Sequence, residues 1–227
     1  MWRGLGDDLR LGIMLQNLGL LAWLQGNPAE AVEHLNESRR VFEQCERTSV
    51  TVAYAPMPLR NLGLVARSRG DYVEAAEYFR ESVIQARLGV DHIVHGYNLA
   101  RGLCHLGRTL FLQGDVAQAK QLFGEALGVM QADRLAGHTL ADCLDWLAAI
   151  ADTDGRRREA AVFFGAAEAQ WHATGAVRYA PERAAYAAEL ARVQEQLAAA
   201  EFAAAWAEGH AMSCEQAINY ALEVCRG

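Results

Sequence analysis

Apolar residues return every three or four positions along most of the chain, and small residues return on a much longer period. Four stretches share one pattern: NLGLLAWLQGNPAEAVEHL (17–35), NLGLVARSRGDYVEAAEYF (61–79), HLGRTLFLQGDVAQAKQLF (105–123) and WLAAIADTDGRRREAAVFF (146–164). Each turns on a glycine: Gly26, Gly70, Gly114 and Gly155. Seven positions earlier stands a small residue, Gly19, Gly63, Gly107 or Ala148. Five positions later stands an alanine, Ala31, Ala75, Ala119 or Ala160, followed after four more by Leu35, Phe79, Phe123 or Phe164. Helical spacing on both sides of a glycine break predicts two antiparallel helices. One such hairpin leaves an apolar face bare, so the repetition predicts hairpins stacked into a solenoid.

The glycines supply the left-handed backbone that closes a helix. Asn27, Asp71 and Asp115 are expected to cap the following helices through their side-chain oxygens. Pro28 suits a first helical position. The small residue is expected to let the two helices close together, with the alanine facing it and the large apolar residue filling the space between repeats. Helices are predicted near 8–25, 28–45, 58–69, 72–88, 92–113, 116–131, 134–153, 156–173, 182–199, 200–208 and 214–225. Asp91 is read as an N-cap, and Ser213 with Gln216 as a capping box. The segment 47–57, RTSVTVAYAPM, is ambiguous. Register with 91–101 makes it the start of a long helix, which Pro56 and Pro58 would kink or delay to Pro58. It reads either as a longer loop or as an opening in the wall of the stack.

This pattern resembles the tetratricopeptide repeat. The residues that carry the resemblance are Leu18-Gly19, Ala31, Leu35 and Ser38, then Leu62-Gly63, Ala75, Phe79 and Ser82, then Leu106-Gly107, Ala119, Phe123 and Ala126, and last Leu147-Ala148, Ala160, Phe164 and Ala167. The spacing departs from the common repeat of about 34 residues. Gly19 to Gly63 and Gly63 to Gly107 are each 44 residues, and Gly107 to Ala148 is 41. The longer period is similar to the C-terminal arms of bacterial MalT-like and LuxR-type signalling ATPase regulators. The tail strengthens that likeness through Phe164–Ala169, Pro181–Arg183, Phe202–Gly209 and Ser213–Ala217. The resemblance implies an all-α right-handed superhelix with a C-terminal helical cap. Four hairpins would occupy about 7–45, 47–88, 91–131 and 133–173, and the capping helices 174–227. Trp2–Asp7 resembles the end of a preceding repeat, so the chain reads as an internal arm, or a truncated relative, without the ATPase or helix-turn-helix parts.

In such a stack the first helix of each hairpin lines the concave wall. By register with the small residue the lining positions are Ile13, Gln16, Leu20 and Trp23; Met57, Arg60, Leu64 and Arg67; Arg101, Cys104, Arg108 and Phe111; and Asp142, Asp145, Ala149 and Asp152. Arg60 and Arg67 share a helix face, as do Arg101 and Arg108. The wall thus runs from apolar and aromatic through four arginines to three aspartates. Two readings stay open. Arg101 and Arg108 pair with Asp142 and Asp145 across a repeat interface, or the arginines form a groove for an acidic peptide or small anion.

Composition narrows the function classes. A net charge of −7 argues against coating nucleic acid, and Arg156-Arg157-Arg158 reads as a solvated helix start. Cys45, Cys104, Cys143, Cys214 and Cys225 are scattered without a CxxC, the usage of reduced thiols in a cytoplasm. No apolar run is long enough to span a membrane. No cofactor is expected. Asp91, His92 and His95 suggest a metal only if a third ligand joins them, and none has the spacing. No nucleophile–base signature or phosphate loop is present. The expected function is therefore a non-enzymatic arm binding a protein or peptide segment, a neighbouring domain or a small effector. The alternative is an assembly scaffold that forms homodimers without a ligand groove.

Overall fold

The structure is a computed structural model of the chain, in which residues 5–89, 92–135 and 137–226 are described. Among these residues there are twelve α-helices, one 3-10 turn and no strand, the all-α hairpin architecture that the repeat predicts. The chain divides into two compact units, Met1–Thr109 and Leu110–Gly227.

In the first unit, α1 (Leu5–Leu24) and α2 (Pro28–Gln44) form one hairpin, and α4 (Pro56–Ser68) and α5 (Tyr72–Arg87) form the next. Between them lies the short α3 (Ser49–Tyr54), and α6 (His92–Leu112) follows, belonging to this unit as far as Thr109. Both corners are built alike. Gly26 and Gly70 have φ of 84° and 83°. Asn27 N–H reaches back to Ala22 O at 2.9 Å and Asp71 N–H to Ala66 O at 3.0 Å, the bond that closes a helix on a left-handed residue.

The small residue meets the large one within its own hairpin. A Cβ on Gly19 would stand 2.6 Å from Leu35 Cγ, and one on Gly63 would stand 2.6 Å from Phe79 Cε1. Leu35 and Phe79 therefore fill the hairpin interior, and Phe79 also reaches His105 of α6, the following helix. The following serine adds a second tie. Ser38 Oγ donates to Gly12 O at 2.7 Å, and Ser82 Oγ donates to Pro56 O at 2.9 Å.

From Ser49 on, the 47–57 segment is helical apart from the joint at Ala55, not a longer loop. Thr48 and Thr51 close a capping box at the start of α3. Ala55 joins α3 to α4 in right-handed helical backbone (φ −53°, ψ −34°), and Pro56 opens α4. Pro56 and Pro58 have no N–H to give the preceding turn, so the ladder breaks while the chain stays helical. The prolines kink the element and do not delay it to Pro58. A cavity of about 220 Å³ lies against this break, lined by residues that include Phe42, Arg47, Thr51, Val52 and Leu59.

In the second unit, α7 (Val116–Ala132), α8 (His138–Thr153) and α9 (Arg157–Thr174) are followed by a 3-10 turn (Ala180–Glu182), α10 (Arg183–Gln196), α11 (Ala199–His210) and α12 (Cys214–Arg226). Gly114 and Gly155 repeat the corner with φ of 89° and 77°. Phe164 meets Tyr186 of α10 edge-on, and Phe163 meets Tyr220 of α12. At the start of α12, Gln216 N–H reaches Ser213 Oγ at 3.2 Å and Ser213 N–H reaches Gln216 Oε1 at 2.8 Å, closing the expected box.

The expected caps are realised unevenly. Asp115 accepts from Gln118 N–H at 3.0 Å. Asn27 and Asp71 make no side-chain cap bond. The Asp71 carboxylate is turned to Arg69 Nε at 3.3 Å instead. Asp91 and residues 1–4 lie outside the described residues.

Candidate interaction sites

The four arginines expected on the inner wall come together in the first unit. Arg60 and Arg67 project from α4, and Arg101 and Arg108 from α6. Arg60 Nη1 donates to Asn98 Oδ1 at 3.3 Å, and Arg67 Nη1 donates to His105 O at 3.4 Å, tying the two helices. Arg67 also lies over the Phe79 ring, 5.3 Å from its centre, and Phe79 stacks on His105. Arg101 Nη1 donates to Tyr97 Oη at 3.0 Å. Arg60, Arg67 and Arg108 are buried, at 4, 6 and 5% exposure, whereas Arg101 is half-buried. Burial, then the charges of Arg67, Arg101, Arg60 and Arg108, hold the His105 imidazole well below its ordinary range. His105 is therefore neutral at pH 7, and the cluster's positive charge resides on guanidiniums.

Gln16 and Trp23 serve the junction of the first two hairpins. Gln16 Nε2 approaches Met57 S at 3.7 Å, and Trp23 Nε1 donates to Ser68 Oγ at 3.0 Å. Both side chains are buried, so neither presents an open anchor.

In the second unit, Phe111 packs on Trp146 at 6.1 Å between ring centres, and Asp142 is half-buried. Asp145 and Asp152 sit one above the other on α8 and bind the C-terminal segment. Asp145 Oδ2 accepts from Arg178 Nε at 2.8 Å and Trp171 Nε1 at 3.0 Å, and its Oδ1 accepts from Arg178 Nη2 at 3.0 Å. Asp152 meets Arg192 Nε of α10 at 2.8 Å. Burial pushes the Asp145 carboxyl up to about 6, against the hydrogen bonds and charge of Arg178 that pull it down. Two of the three aspartates expected along the wall, Asp145 and Asp152, thus bind Arg178 and Arg192.

Sequence reasoning missed Tyr97, Asn98 and His105 as members of the arginine cluster. Their signal was present, because Tyr97 and His105 lie one helical turn either side of Arg101. It also missed Arg178, Glu168, Tyr186 and Arg192. Arg178 sits in a loop, where no periodicity aims a side chain. Among the described residues no three His, Cys, Asp or Glu side chains gather to hold a metal, and the His92 side chain lies outside them. No helix of the described residues is long and apolar enough to cross a membrane.

Residues 54–132 match the family model for the tetratricopeptide repeat, and they form a tetratricopeptide repeat region. Repeats of this family are generally non-enzymatic scaffolds for protein interaction. No curated protein matches the chain.

Proposed function

We propose that the chain is the interaction arm of a larger bacterial signalling or transcription regulator of MalT-like or LuxR type. In this reading residues 1–173 are the repeat body and 174–227 the cap. The arm works in the cytoplasm and takes up an acidic protein or peptide segment, or a small anionic effector. The observation that carries this reading is the convergence of Arg60, Arg67, Arg101 and Arg108 around His105. Guanidinium forks recognise carboxylates with defined geometry, and a neighbouring cation strengthens each of them. Arg101, half-buried, is the point of first contact, and the buried arginines act through their field and by fixing α4 against α6. Binding would shift a regulator between two arrangements by differential affinity.

The test uses a fluorescein-labelled oligoglutamate peptide. Changing Arg67 and Arg101 together to Gln keeps hydrogen-bonding capacity and removes two charges. The account expects binding to weaken by about tenfold or more, the scale of one charge-assisted contact at Arg101 together with the lost field of Arg67. Unchanged affinity in a folded double variant removes the cluster as the site.

A second reading, assembly through an apolar flank, draws on α1. Leu11, Met14, Leu18 and Leu21 form one exposed row along that helix, with Met14 at 63% exposure. Light scattering across a dilution series tests it, and a strictly monomeric chain removes it.

A further inference from the structure

We propose that Asp145, Glu168, Trp171 and Tyr186 form a guanidinium-recognition box, filled in cis by Arg178, that takes an arginine side chain from a segment of a partner protein when Arg178 withdraws. The fit is specific to a planar fork. Arg178 Nε and Nη2 address the two oxygens of Asp145 at 2.8 and 3.0 Å. Glu168 Oε2 accepts from Nη1 and Nη2 at 3.3 and 3.4 Å. The guanidinium carbon lies 3.6 Å from the Tyr186 ring centre and 5.1 Å from that of Trp171. Trp171 Nε1, bonded to Asp145 Oδ2 at 3.0 Å, fixes the carboxylate for that fork. A lysine ammonium could serve one of these oxygens but not the pair, and it has no plane to lay against the rings.

The plug is held differently from the walls. Arg178 stands in the loop between α9 and the 3-10 turn, where its neighbour Val177 is 74% exposed. Outside the box, Arg183 Nε donates to Arg178 O at 3.2 Å. The walls stay when the loop leaves. Asp145 is on α8, and Glu168 and Trp171 are on α9, whose Gly165 is locked against Trp206 of α11. Tyr186 is on α10, which keeps its own hold through Val193 and the Arg192–Asp152 pair. The box is confined to the second unit, and its failure would leave the arginine cluster untouched.

The test is calorimetric titration of N-acetyl-arginine amide into wild type, Arg178→Ala and the Arg178→Ala/Asp145→Asn double variant, with N-acetyl-lysine amide as control. Removing the plug is expected to raise affinity for the arginine probe by about tenfold or more over both wild type and the lysine probe, and Asp145→Asn is expected to abolish the gain. Equal affinity of wild type and Arg178→Ala, or no preference over lysine, overturns the proposal. Arg178→Lys provides a second reading by amide exchange. Exchange at 175–179 should quicken by about tenfold while α11 stays protected. Unchanged exchange there, or loss of protection throughout the unit, also overturns it.

Discussion

Gly165 and Gly128 are both helical glycines, yet their surroundings assign them opposite roles. A Cβ on Gly165 would collide with the Trp206 carbonyl, while one on Gly128 meets nothing within 4 Å. Gly165→Ala should therefore cost about 2–3 kcal/mol through overpacking of α9 on α11. Gly128→Ala should stabilise by about 0.5–1 kcal/mol through helix propensity. Urea unfolding midpoints of the two variants should move in opposite directions, and movement in the same direction would contradict the packing described. Two buried titratable residues also oppose each other. His105 stays neutral in the folded state, so an unfolded chain takes its proton first as pH falls below about 6.5, and stability drops. Asp145, raised to about 6, is protonated first in the folded state, so stability rises as pH falls through that value. Asp145→Asn removes the second effect alone. Between pH 7 and 5 that variant should lose about 1 kcal/mol more stability than wild type, read from unfolding at both pH values.

At the scale of elements, the hairpins were legible because each rests on a local device with a residue signature. A glycine with left-handed backbone ends the first helix, and a small residue seven positions earlier admits Leu35 or Phe79 from the second. Those features depend on near neighbours, and Gly26, Gly70, Gly114 and Gly155 adopt one conformation. The kink at Ala55 was less legible, since two prolines are compatible with a break, a bend or a loop until Thr48 and Thr51 show how the preceding turn is capped. Thr48→Ala should cost about 1 kcal/mol, with faster amide exchange over 49–55. An unchanged rate would mean that the capping box does not hold α3. The partners of the α8 carboxylates were not legible at all. Helical register put Asp145 and Asp152 on one face, but Arg178 reaches Asp145 from an irregular loop and Arg192 reaches Asp152 from a helix with little apolar patterning.

For the molecule as a whole, the charge distribution departs from the bulk value. The chain carries a net −7, while four arginines converge within the first unit. In the second unit Asp145 and Asp152 of α8 are already occupied by Arg178 and Arg192 of the same unit. In the proposed reading, recognition of an acidic segment therefore belongs to α4 and α6. An exposed apolar row on α1 adds a concentration-dependent property. Met14→Glu with Leu18→Glu should leave helicity intact and remove any self-association seen by light scattering, and association that survives both changes would place the contact elsewhere. The most direct measurement is an amide-exchange footprint of the whole chain with and without saturating oligoglutamate peptide. Added protection over 57–67 and 97–108 is the predicted result, and protection confined to other helices, with these two unchanged, would contradict it.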